Sequence, residues 1–218
     1  MKNIESNFKE SRIYTPNQKF VKSATVTDKI LANLHDEYKN NPDLFWSNLA
    51  KQEISWIKEF TNVCVGNAPD FEWFREGKLN ISENCLDRHI DNENNAIIHI
   101  SEDNKKQIIS YKELYQKVNN FSFALKSIDI KKGSRVIIYM PTIPESIIAM
   151  LSCARLGLIH SVVFAGFSSE SLKNRINDCK AELIITVDSF KRNGKTIMSK
   201  ETVDNALKQD CPSIKKVI

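Results

Sequence analysis

Three cations grouped around a flexible dipeptide are the residues best suited to hold a ligand, in the loop Lys191-Arg192-Asn193-Gly194-Lys195. Ammonium and guanidinium groups bind phosphate oxygens through charge-assisted hydrogen bonds. The same composition is typical of a solvated basic loop. The pattern therefore indicates a phosphate-bearing ligand without indicating a reaction.

A second candidate site follows an apolar run, where the sequence reads Phe164-Ala165-Gly166-Phe167. If that run is a parallel strand, the turn lies at its carboxyl end, where open α/β sheets bind their ligands. Small residues there let a ligand approach the backbone. The alternative interpretation is a plain strand-to-helix turn. The basic loop follows the next predicted strand, so both candidates fall on one edge of the sheet.

A strand-helix-strand pattern positions the second candidate. Apolar runs from Arg135 to Met140 and from His160 to Phe164 flank a stretch with apolar residues at helical spacing. Thr142 and Glu145 form the side-chain pattern of a helix N-terminus, and Gly157 ends the helix. Two strands joined in this way are parallel, with a right-handed crossover.

The alternation of helices and strands continues on both sides of this unit. The patterns predict, in chain order, helices from 27 to about 38 and from 42 onwards, a loop over 63–77, a hairpin of 96–100 with 107–109, a helix capped by Ser110, a helix over 168–179, a strand over 183–187, a polar loop over 188–196, a helix over 202–207 and a last strand that opens at 217. A buried parallel strand needs more residues and a further partner, so we expect the fold to be cut there rather than finished.

The expected fold class is α/β, with a helical N-terminal cap followed by an incomplete, mainly parallel βαβ sheet. The expected divisions are an extended arm over 1–25, a helical region over 26–90 and the first part of a larger α/β domain over 91–218. An aromatic-rich stretch runs from Phe45 to Phe60. It is either an aromatic binding face or a helical lid whose aromatic stripe packs on the next domain, and the usual burial of Trp and Phe favours the lid.

Cys85, Asp87 and His89 invite a metal or nucleophile interpretation because they lie so close together. Their spacing is not a familiar metal-ligand pattern and no second ligand cluster exists in the sequence. The favoured alternative is structural, with Asn84, Asp87 and Arg88 capping and pinning a short helix.

Composition excludes several classes of protein. The chain has 218 residues, of which 41% are hydrophobic and 27% charged, the values of a globular protein. A net charge of +4, evenly spread, does not indicate nucleic acid. No signal peptide is visible, and no run reaches the roughly 18 apolar residues that span a bilayer. We therefore expect a cytoplasmic protein with neither nucleic acid nor membrane as a partner.

Familiar catalytic motifs are absent from the sequence. It contains no GxGxxG, GxxxxGK[ST], GxSxG or HExxH, and its four histidines are dispersed. The five cysteines never form a CxxC pair, which argues against both a disulfide framework and a zinc site. No catalytic residue and no metal ligand is predicted.

Three longer segments resemble one known family. WFREGKLNISENCLDRH (73–89), RVIIYMPTIPESIIAMLSCARLGLIHSVVFAGFS (135–168) and the loop over 188–195 are similar to acetyl-CoA synthetase, one of the acyl-adenylate-forming synthetases. The likeness runs from about Val21 to Ile218 and corresponds to the family's amino-terminal portion. Propionyl-CoA synthetase is a near relative that these segments separate poorly.

The resemblance implies that acetate and ATP form acetyl-adenylate and pyrophosphate, after which the thiol of CoA gives acetyl-CoA and AMP. It also implies Mg2+ and a carboxyl-terminal lobe that rotates between the half-reactions. The family's loop matching Arg192, Asn193, Gly194 and Lys195 is R-x-G-R and meets the 3'-phosphate end of CoA. Here Lys195 keeps the charge of the family's arginine and loses its planar fork.

The family's turn matching Phe164, Ala165 and Gly166 is Phe-Gly-Gly-Phe and lies near the pantetheine path of CoA. Ala165 adds a methyl group where the family has none. Both segments are candidates for the CoA side of a site only.

The family's phosphate loop, adenine and ribose motifs, acetate pocket and catalytic lysine all fall beyond residue 218. The resemblance therefore implies an amino-terminal fragment that is inactive alone, with ATP and Mg2+ used only by the complete enzyme and with a possible complementing C-terminal chain. The alternative is a non-catalytic module that binds CoA or associates with a synthetase.

Overall fold

The structure, a computed structural model, describes residues 11–218. The first ten residues of the expected arm lie outside this range. The chain divides into two compact units, the first ending at Gln52 and the second spanning Glu53–Ile218. The domain limits expected from the sequence stay predictions.

Helices make up the first unit, in the order α1 (Gln18–Ser23), α2 (Asp28–Asn40) and α3 (Pro42–Glu53). The side-chain oxygens of Asn17, Thr27 and Asn41 accept hydrogen bonds of 2.8 to 3.4 Å from backbone N–H groups in the first turns. These caps satisfy donors that have no partner within the helix. The helix that Asn17 caps, α1, lies within 1–25, the stretch expected to be an extended arm. That expectation is therefore wrong for the residues of α1.

Aromatic residues after α2 do not form one helical stripe, because α3 ends before Trp56. Phe45 and Trp46 meet edge to face on α3, with ring centroids 5.2 Å apart. Trp56 and Phe60 belong to the second unit, where their rings lie 5.6 and 5.0 Å from that of Phe74. The interpretation as a continuous helical lid is therefore wrong.

The elements of the second unit are, in chain order, β1 (Asn62–Asn67), β2 (Asp70–Arg75), α4 (Ile81–Cys85), a 3-10 turn (Asp87–His89), β3 (Asn95–Ile100), β4 (Lys106–Ser110), α5 (Tyr111–Ser127), β5 (Arg135–Met140), α6 (Pro144–Leu156), β6 (Ile159–Phe164), α7 (Ser169–Cys179), β7 (Leu183–Thr186), β8 (Phe190–Arg192), β9 (Lys195–Ile197), α8 (Ser199–Leu207) and β10 (Lys216–Val217). The α/β class, with helices first and a parallel sheet after them, is confirmed.

The central sheet has the strand order β10-β7-β5-β6, and every pair in it is parallel. On β5, Val136 and Ile138 pack into one apolar cluster with residues of α5 and α6, whereas Ile137 and Tyr139 pack into another with residues of α7 and α8. Side chains of a strand point alternately to the two faces of its sheet, so β5 is buried on both. This explains its unbroken apolar run.

Two segments expected to be loops are hairpins. Within 63–77, β1 pairs with β2, and Ala68-Pro69 form the turn between them. Within 188–196, β8 pairs with β9 across Asn193-Gly194. Pro69 in the first hairpin and Gly194 in the second thus mark a tight turn rather than a longer irregular segment.

The start of α6 also differs from the prediction. Its cap residue is Ile143, in extended backbone, and no side chain caps the helix. Pro144 restricts the residue before it to extended conformations, which moves the boundary one position past Thr142. Gly157 ends the helix as predicted.

Candidate functional site

A cleft of about 620 Å³ opens beside the carboxyl ends of β5 and β6. It is lined by four segments, namely the turn between β3 and β4 (99–103 and Lys105), residues 141–143 after β5, Phe164 at the end of β6, and Phe190–Arg192 of β8. Both ligand candidates from the sequence therefore contribute to one cleft, at the edge of the sheet where they were expected.

The cleft joins the two candidates through a contact between Arg192 and Phe164. The guanidinium carbon of Arg192 lies 4.8 Å from the centroid of the Phe164 ring, a cation-π distance. Gly166 permits this approach, because a Cβ there would lie 2.5 Å from the Phe164 ring and 2.9 Å from Nη1 of Arg192. The missing side chain makes room for an arginine of the protein itself.

A buried tyrosine fixes the backbone of the turn at 164–167. The Tyr139 hydroxyl lies 2.9 Å from the carbonyl oxygen of Ala165 and 2.8 Å from that of Phe167. Burial raises the pKa of Tyr139, so the hydroxyl keeps its proton and remains a donor. Ala165 itself is 1% exposed and packs into the core, whereas Phe164 is half-exposed. The Ala165 methyl group therefore faces the protein interior.

The basic segment is a tight hairpin. Asn193 and Gly194 both have left-handed backbone, with φ of 50° and 72°, as the common two-residue hairpin turns require. Arg192 and Lys195 pair across this turn. The backbone N–H of Gly194 donates a 2.6 Å hydrogen bond to Oε1 of Glu102, in the turn between β3 and β4. Pattern reasoning missed Glu102, because 92 residues separate it from Gly194.

Within the described part of the chain, the cations of the hairpin have no anionic side-chain partner. Among the ion pairs of residues 11–218, none includes Lys191, Arg192 or Lys195. All three side chains are exposed. Lys191 and Arg192 face the cleft, and Lys195 lies outside its lining. Exposed cations without partners can bind an anion without first breaking an ion pair.

The 84–89 segment has a structural arrangement instead. The Arg155 guanidinium donates to both carboxylate oxygens of Asp87, at 3.2 and 2.5 Å. Asn84 exchanges hydrogen bonds with the backbone of Ser55, and Asn80, rather than Asn84, caps α4. Within residues 11–218, no three side chains of the metal-ligating types are arranged to hold an ion. None of the described helices has the length and hydrophobicity needed to cross a membrane.

Two family models together match all of the second unit and part of the first. Residues 86–218 match the model described as AMP-binding enzyme. The chain belongs to the family of AMP-binding enzymes. Residues 31–85 match a second model, the N-terminus of acetyl-coenzyme A synthetase. The predicted resemblance to the amino-terminal portion of that enzyme is confirmed.

Curated relatives of this chain carry the name acetyl-coenzyme A synthetase, as the second family model does. The chain is 46% identical to acetyl-coenzyme A synthetase of Laribacter hongkongensis over 223 residues, which cover 100% of the chain and 34% of the relative. It is 45% identical to that of Helicobacter pylori strain P12, over 95% of the chain and 32% of the relative. The chain thus spans about a third of the length of the relatives it matches.

A solved structure shows the same fold. Acetoacetyl-CoA synthetase from Streptomyces lividans superposes with a TM-score of 0.78 at 23% identity, over 85% of this chain and 29% of that one. At this identity the match establishes the architecture alone.

Proposed function

We propose that this chain is the amino-terminal part of an acetate-activating synthetase and that its cleft binds CoA. In the proposed reaction, acetate and ATP give acetyl-adenylate and pyrophosphate, and the CoA thiol then gives acetyl-CoA and AMP. The observation that carries the proposal is the meeting of Arg192 with Phe164 in one cleft. It supports a ligand that is both anionic and apolar along its length.

The hairpin takes the phosphate end of CoA in this proposal. The side chains of Arg192 and Lys195 supply charge, and the turn at Asn193 and Gly194 supplies backbone N–H groups within a tight bend. The residues present fit a phosphate, since the cations are exposed and have no ion-pair partner among residues 11–218. Lys195 offers a point charge rather than a bidentate fork, which weakens the contact relative to arginine.

The turn at 164–166 takes the pantetheine side. Phe164 presents a half-exposed ring to the cleft. Ala165 packs into the core, and Gly166 leaves room for that ring. No residue of the chain is assigned to ATP, Mg2+ or acetate, which we assign to the complete enzyme. Propionate is the alternative acyl substrate. We place the protein in the cytoplasm, without nucleic acid or membrane as partners.

Isothermal titration of the chain with CoA tests the phosphate assignment. We expect Arg192→Gln to weaken CoA binding by about tenfold to a hundredfold, as for loss of a hydrogen bond to a charged group. Lys195→Gln should have a similar or smaller effect. Lys208→Gln removes the same charge from an exposed position on the chain and serves as the control. Equal losses in all three variants would reject the assignment.

Complementation tests the acyl-activating function. By themselves, we expect these 218 residues not to form acetyl-adenylate. Co-expressed with the part of the Laribacter hongkongensis synthetase that the match leaves uncovered, they should form acetyl-CoA from acetate, ATP and CoA. A second candidate function, a non-catalytic CoA-binding module, is favoured by one observation, since Phe164 and Arg192 of this chain line the same cleft. CoA binding without complementation would select it.

A further inference from the structure

We propose that Glu102 is an internal anion, which occupies the phosphate position of the β8–β9 turn until a ligand phosphate displaces it. Its carboxylate thereby lowers the affinity of the turn for phosphate and holds the empty turn in place. The inference rests on the proposed function only for the identity of the phosphate as that of CoA.

Geometry places the carboxylate where a ligand oxygen would bind. The N–H of Gly194 points out of a turn in which two successive residues have left-handed backbone, and Oε1 of Glu102 accepts from it at 2.6 Å. A carboxylate oxygen and a phosphate oxygen are the same kind of acceptor for such a donor. The Glu102 carboxylate and a ligand phosphate cannot both accept a full-strength hydrogen bond from the Gly194 N–H.

Electrostatics supports the exchange. Among the ion pairs of the described residues, none includes Glu102, and none includes the cations that flank the turn. Glu102 is therefore held chiefly by the one hydrogen bond to Gly194. An exposed contact of this kind contributes little, so a dianionic phosphate can replace it.

Its neighbour Asp103 is committed elsewhere and does not compete. The Asp103 carboxylate pairs with Lys105 at 2.8 Å and accepts a short hydrogen bond from the Ser101 hydroxyl. Hydrogen bonding to Lys105, then to Ser101, lowers the pKa of Asp103 to about 2. Two adjacent carboxylates thus differ in role, since one stabilises its own turn and the other reaches across to the hairpin.

Nuclear magnetic resonance of the full chain, labelled with 15N-glycine, tests the proposal directly. The chain has 6 glycines, so the Gly194 amide is one of few signals, and the variant Gly194→Asn assigns it by its disappearance. Inorganic phosphate is titrated into wild type, Glu102→Gln and Asp103→Asn, at one ionic strength. Asp103→Asn is the matched control because it removes the same charge from the same turn.

We expect Glu102→Gln to shift the free Gly194 signal and to lower the phosphate concentration at half-saturation by about threefold to fivefold, the size of an exposed charge interaction. Asp103→Asn should leave both the free Gly194 signal and the phosphate concentration at half-saturation close to those of wild type. Three results would overturn the proposal. Phosphate does not shift the Gly194 signal in Glu102→Gln, wild type and Glu102→Gln bind phosphate equally, or Asp103→Asn tightens phosphate binding as much as Glu102→Gln does.

CoA titrated into the same samples separates this inference from the proposed function. If phosphate behaves as expected and CoA does not bind, the internal anion stands and the CoA assignment fails. If CoA binds and Glu102→Gln does not tighten phosphate, the CoA assignment stands and the internal anion is rejected.

Discussion

Two polar clusters of the second unit, one around Arg155 and Asp87 and one around Arg192, differ in the groups that contact their charged side chains. Around Arg155, both carboxylate oxygens of Asp87 and the hydroxyl of Ser82 accept from the guanidinium. Around Arg192, an aromatic ring lies against the guanidinium and the described residues supply no ion-pair partner. The first cluster is complete without a ligand, whereas the second is open to one. The presence of partners, rather than the residue types, thus separates the structural charges around Arg155 from the charges around Arg192 that we propose to bind a ligand.

Breaking the Arg155 cluster should produce the largest effect. Asp87→Ala leaves a half-buried guanidinium without its carboxylate, and we expect a loss of about 2 kcal/mol in the free energy of unfolding, at the low end for a buried pair because both side chains remain partly exposed. Urea unfolding measures it. The control is Glu76→Ala, which removes an exposed carboxylate 3.0 Å from Lys58. Comparable shifts in both variants would show that the Asp87 pair has no special structural role.

Removing the support of the turn at 164–167, which we propose to bind a ligand, should cost less. Tyr139→Phe deletes the hydroxyl near the carbonyl oxygens of Ala165 and Phe167, and we expect a loss of about 1 kcal/mol in the free energy of unfolding at pH 7. Tyr38→Phe, at a half-exposed position, is the control and should change little.

The same tyrosine predicts a pH dependence. Burial raises the pKa of folded Tyr139 above that of the unfolded chain, so its contribution is complete below a pH of about 10 and declines as the pH rises further. The stability difference between wild type and Tyr139→Phe should therefore shrink above that pH. A difference that grows there would contradict the assignment of the hydroxyl as a buried donor.

The smallest effect is expected where the two candidates touch. In Gly166→Ala, the new methyl group displaces the Phe164 ring or Arg192, and CoA binding should weaken by about twofold to fivefold through loss of an exposed cation-π contact that orients the guanidinium. Phe164→Leu removes the same contact. The double variant should bind CoA no more weakly than either single variant, because both substitutions remove the same contact between Arg192 and Phe164. Additive losses would show that the two residues act independently.

Local pattern was sufficient to predict the central sheet, since β5 reads as an unbroken apolar run and Gly157 ends α6. It also placed Arg192 and Phe164 on one edge, because parallel strands share the direction of their carboxyl ends. The polar composition of 188–196 predicts a loop, although Asn193-Gly194 within it is a recognisable hairpin signal. Such a dipeptide between short strands is typical of two-residue hairpins.

Long-range partners were beyond the sequence. Nothing near Glu102 indicates that its carboxylate reaches Gly194, and nothing near Asp87 indicates Arg155, because tertiary folding alone brings them together. Tyr139 read as one more apolar residue of β5, although its hydroxyl holds the turn. Contacts of this kind need the fold before they can be identified.

The central claim is that the open cluster recognises the 3'-phosphate of CoA. Calorimetric titration of the wild-type chain with CoA and with dephospho-CoA at the same salt concentration tests it most directly, since the two ligands differ only in that group. We predict that CoA binds at least about tenfold more tightly, as expected for charge-assisted hydrogen bonds to phosphate. Equal affinity for the two ligands would contradict the claim.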